Sequence, residues 1–130
     1  MPLHFTVWQF VRIMVHAEEV GAGSVVGGLL EDWREVWEPL DAELGELAER
    51  DFDAYGDLMM NQDVVIEDAT PAQAKTARAA VDAVMAEMDA AITAAGDPAH
   101  LENLKYERRE LRQLSRRLGH LADGDGAGES

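Results

Sequence analysis

The stretch TPAQAKTARAAVDAVMAEMDAAITAAGDPAHLENLKYERRELRQLSRRL, residues 70–118, decides the fold. Thr70-Pro71-Ala72-Gln73 places a capping hydroxyl, a proline suited to the first helical position and a Gln three residues after the cap, which together start a helix. Ala77, Val81, Val84, Met88 and Ile92 then recur at helical steps, and the small residues among them let a partner helix approach closely. Gly96 ends this helix and Asp97-Pro98 caps the next. That one carries Leu101, Leu104, Leu111, Leu114, Leu118 and Leu121 on its apolar side. Two amphipathic helices joined by so short a turn must pack as an antiparallel hairpin.

Upstream, Trp33, Trp37, Leu40, Leu44 and Leu47 follow at steps of four, three, four and three, and Phe52, Tyr55, Leu58 and Met59 extend the seam. The spacing predicts one long helix, kinked or restarted near Pro39 because proline cannot donate to the preceding turn. Residues 60–69 read as a connector with an apolar plug, Val64-Val65-Ile66. Residues 3–20 are rich in strand-favouring types, but Gln9, Arg12, His16 and Glu19 recur at steps of three, four and three, which predicts a helix with one polar stripe. Four glycines between Gly21 and Gly28 then mark a break or a close packing site.

The expectation is an all-α bundle of about four helices over residues 1–121, the last two forming the hairpin. Residues 122–130 hold nothing to bury and read as a disordered acidic C-terminal tail. The chain has 130 residues, a length that suits a single domain.

Composition removes several function classes. With no cysteine there is no disulfide, thiolate metal site or cysteine nucleophile, and a cytoplasmic setting is favoured. Twenty-six acidic residues against eleven basic ones give a net charge of −15, which repels phosphate backbones and anionic lipid. Charges at Arg12, Glu18 and Glu19 break every early apolar window, so neither a membrane span nor an export leader is expected.

The candidate chemical motifs are weak. Gly21, Gly23 and Gly27 lack the strand before and the Lys-Ser or Lys-Thr pair after that a phosphate loop needs. Asp51, Asp53, Gly56 and Asp57 match part of a calcium loop, but Tyr55 and Gln62 stand where oxygen ligands belong. None of the four histidines has Glu three residues before it; His16 with Glu19 and Asp97 with His100 are the nearest approaches to a di-iron pair. Ser24 has no nucleophile-elbow context. The sequence therefore assigns no catalytic residue, cofactor or metal, and the chain reads as more of a binder than an enzyme.

Charge distribution is more informative. Residues 31–57 carry eleven acidic side chains against Arg34 and Arg50, net −9, whereas residues 97–121 are net +2. Lys105, Arg109, Arg112 and Arg116, at steps of four, three and four, form one basic stripe. Internal or intersubunit pairing is the first expectation for it, and an external anion or nucleic acid the second. Trp8, Trp33 and Trp37 read mainly as core anchors, with one of the latter two a candidate for a partner surface.

These residues point to a protein-protein interaction or assembly subunit, oligomeric with itself or within a larger assembly. In that reading the first helix supplies apolar contact and the charged helices set orientation. Two rivals remain: a metal or small-ligand-binding bundle using His16, Glu19 and the acidic helix, and a nucleic-acid-associated protein using the basic stripe.

Overall fold

The computed structural model describes residues 1–21 and 23–128, with side chains through Asp123. Among them are six helices and two short strands, and four of the helices exceed ten residues. The protein is all-α. Its contacts gather into two compact units, Met1–Ala69 and Thr70–Ser130.

The first unit runs β1 (Leu3–Thr6), α1 (Val7–Val20), α2 (Gly28–Asp32), α3 (Arg34–Arg50), α4 (Phe52–Asn61) and β2 (Asp63–Ile66). The helix expected over 3–20 thus begins only at Val7. Residues 3–6 instead pair antiparallel with β2, Leu3 opposite Ile66 and Phe5 opposite Val64. These four side chains are buried while His4 is exposed, the alternation of a strand with one wet face. The plug read at Val64-Val65-Ile66 is therefore a strand.

Thr6 makes the transition from strand to helix. Its Oγ1 accepts from the Gln9 N–H at 3.1 Å, and Gln9 Oε1 accepts from the Thr6 N–H at 2.9 Å, a complete capping box. Gln9 is accordingly buried in the cap and does not belong to a wet stripe. Phe5, Phe10, Trp33 and Trp37 form the aromatic centre of the unit, with ring centroids 5.8 to 6.1 Å apart in tilted, stacked and edge-on pairs.

The long helix expected from Trp33 onward is divided elsewhere than at Pro39. Trp33 closes α2 and opens α3, and Pro39 lies inside α3, in its second turn. The break falls at Asp51, whose backbone is extended (φ −150°, ψ 90°) and whose Oδ1 accepts from the Ala54 N–H at 3.1 Å. An aspartate cap ends one helix by starting another.

The second unit is the expected antiparallel hairpin, α5 (Pro71–Ala94) against α6 (Pro98–Gly128). Thr70 and Gln73 form the capping box, with reciprocal bonds of 3.1 and 3.0 Å. Ala74, Ala77, Ala80, Val81, Val84 and Met88 are buried along one face of α5, and Leu104, Leu111, Leu114 and Leu118 along α6. Asp97 Oδ1 accepts from the Ala99 N–H at 3.1 Å at the start of α6. A polar lock crosses the pair: Arg78 Nε donates to Ser115 Oγ at 3.3 Å, and Ser115 Oγ donates to Asp82 Oδ1 at 2.6 Å. Most of the tail expected at 122–130 falls on positions whose side chains or backbone lie outside the described residues.

Candidate interaction surface

Helix α6 turns its leucines toward α5, and this fixes where its cations go. Lys105, Arg109, Arg112 and Arg116 subtend about 60° of the helix circumference, well away from the buried row. All four are exposed. Among the described residues none of them makes a hydrogen bond or an ion pair, so the stripe read from the sequence stands on the surface unneutralised. The neighbouring Arg108 behaves differently: its Nε donates to Asp89 Oδ1 at 2.5 Å and its Nη2 to Oδ2 at 3.3 Å, a two-pronged contact from α6 to α5. Internal pairing is thus met by Arg108 and not by the stripe.

The acidic counterpart is α3. Trp37 and Leu44 are buried on one side. Glu35, Glu38, Glu46 and Glu49 cluster within about 80° on the opposite side, and all four are exposed. Arg34 lies against Glu31 and 3.9 Å from Glu38, and Arg50 reaches Glu46 at 2.5 Å. Glu35 and Glu49 make no hydrogen bond or ion pair among the described residues.

The tryptophans divide. Trp33 and Trp37 are 3% and 5% exposed, so in the folded copy both serve the core and neither presents a partner surface. The Trp37 Nε1–H donates to Glu18 Oε2 at 3.3 Å, while the Trp33 indole N–H is buried without a hydrogen-bond partner among the described residues. Trp8 is half-buried beneath the Arg12 guanidinium, 5.7 Å from the ring centroid.

One apolar surface was hidden from the sequence. No residue of α4 is buried. Phe52, 73% exposed, stacks on Tyr55 with centroids 5.7 Å apart, and Met60 is 60% exposed. In sequence Phe52 and Tyr55 simply continue the α3 seam; only the break at Asp51 turns them outward.

The weaker motifs resolve into local structure. Asp51 caps α4, and Phe52–Asn61 is helical where a calcium loop would have to wrap an ion. Asp57 Oδ1 accepts from the Asn61 side chain at 2.7 Å. In the glycine segment, Ser24 Oγ donates to the Gly21 carbonyl at 2.7 Å and accepts from the Gly27 N–H at 2.9 Å. A helix, not a strand, precedes this turn, so it lacks the setting of a phosphate loop. His16 Nδ1 lies 3.8 Å from Glu19 Oε1, too far for a hydrogen bond.

No protein-family model, curated protein or solved structure matches the chain. No helix among the described residues is long and apolar enough to cross a membrane.

Proposed function

We propose that this protein is a non-enzymatic helical association module, a subunit that works by docking to other protein and is oligomeric or part of a larger assembly. The observation that carries the reading is the exposed cationic stripe of α6, Lys105, Arg109, Arg112 and Arg116, which has no internal counter-charge among the described residues. Four cations on one face of an otherwise acidic chain give an interface a preferred register and partner, because charge complementarity steers docking more than it adds affinity. Phe52, Tyr55 and Met60 supply an apolar component, the part the sequence reading had given to the first helix. The same proposal puts the subunit in the cytoplasm, in keeping with a chain that uses no cysteine.

Native sizing of the protein in gentle extracts of its own cells tests the reading. An apparent mass well above the 14.3 kDa of one copy is expected. Migration as a lone copy at cellular concentration would end the proposal.

A further inference from the structure

We infer that the α6 stripe docks on the acidic outer face of α3 in a second copy of the same chain. This rests on the association reading above and names its partner.

The two faces match in charge and in length. Lys105 to Arg116 covers about 16 Å of helix, and Glu35 to Glu49 about 21 Å, at 1.5 Å per residue. Residues 31–57 are a strongly acidic part of the chain at net −9, and residues 97–121 carry net +2 with six of its eleven basic side chains. Both faces are exposed, and among the described residues both keep charges without a partner: Lys105, Arg109, Arg112 and Arg116 on α6, Glu35 and Glu49 on α3. Each copy therefore carries a donor face and an acceptor face at equal concentration, the condition for reciprocal contacts between identical chains.

Net charge is the obvious objection, since two copies at −15 repel. That repulsion acts over the whole molecule and is largely screened beyond about 8 Å at physiological ionic strength, while contacts of hydrogen-bond length are screened much less. The same net charge works against a nucleic acid at this stripe, because a polyanion meets the full field of the chain along its length.

Sedimentation velocity of the purified full chain, from micromolar to about 1 mM, tests the inference with three proteins. These are the wild type, a stripe-reversed variant (R109E, R112E, R116E) and a face-reversed variant (E35K, E38K, E49K). Wild type should associate reversibly at about 0.1 M salt, with a dissociation constant at least tenfold higher at about 1 M, where the screening length falls to about 3 Å. Each variant alone should be monomeric, and an equimolar mixture of the two should associate again, because each supplies the charge that the other lacks.

The face-reversed variant is decisive. Its net charge falls in magnitude from −15 to −9. Relief of global repulsion would strengthen its self-association, whereas loss of the local contact abolishes it. Helicity by circular dichroism checks that each variant folds, and the neutral pair R109Q/R112Q, expected to weaken association about tenfold, replaces any variant that does not.

A wild type that stays monomeric to 1 mM, an association indifferent to both reversals, or a mixture that fails to associate would each overturn the inference. So would a monomeric wild type that binds a short DNA duplex through these arginines. If the purified chain is monomeric while the protein in cell extract runs in a larger species, the self-partner fails and the association reading stands; if both run as one copy, both fail.

Discussion

Gly27 has no room for a side chain, since a Cβ there would fall inside the contact distance of the Gly21 carbonyl, and Gly21 itself holds φ +88°. Backbone cannot swing aside as the end of a long side chain can. Gly27→Ala should therefore destabilise the first unit by about 1–3 kcal/mol, the usual cost of forced overpacking, read as a lower urea midpoint. Gly119 makes the contrast, because its added Cβ would meet the mobile tip of Arg78 at 2.7 Å. Gly119→Ala should displace that guanidinium from Ser115 at a smaller cost. Ser115 is buried and bonds to both Arg78 and Asp82, so Ser115→Ala should cost about 1 kcal/mol, one net hydrogen bond. An unchanged urea midpoint would mean that the Arg78–Asp82 pair closes up without the hydroxyl.

Two capping boxes govern where the principal helices of each unit begin, one at Thr70 and Gln73, the other at Thr6 and Gln9. Thr70→Ala and Thr6→Ala should each lower stability by about 1 kcal/mol, with faster amide exchange at Gln73 or Gln9 as the local readout. Only the first of these boxes is readable in the sequence, because a proline and a clean apolar row follow it. The second carries the same Thr-x-x-Gln signal, but it sits within residues whose strand-forming types run straight across the boundary. The hairpin of α5 and α6 is legible because its contacts are local and its turn is short. The pairing of Leu3 with Ile66 is not, since nothing in either four-residue strand indicates a partner some sixty positions away. The stripe at Lys105, Arg109, Arg112 and Arg116 follows from its spacing alone. Its lack of a partner among the described residues depends on where α5 puts Asp89, which satisfies Arg108 and none of these four. The outward turn of Phe52 depends on the Asp51 cap, a residue that reads equally well as a wet acidic position.

For the whole molecule, charge of one sign dominates, and the exposed carboxylates outnumber the basic groups that could neutralise them. Self-repulsion should then outweigh the exposed ion pairs, each worth only about 0–1 kcal/mol. Raising NaCl from about 10 mM to about 150 mM should lift the thermal midpoint by a few degrees, as the screening length drops from about 30 Å to about 8 Å. A midpoint that falls instead would show that attractive pairs prevail. The antiparallel ribbon of β1 and β2 has a bearing on biosynthesis. Leu3–Thr6 is synthesised well before the strand it pairs with, which is complete only at Ile66, roughly 3–12 s later at ~5–20 residues per second. Throughout that interval the nascent chain holds out an apolar strand with an open edge, the kind of segment that holding chaperones capture and that seeds aggregation when none is at hand.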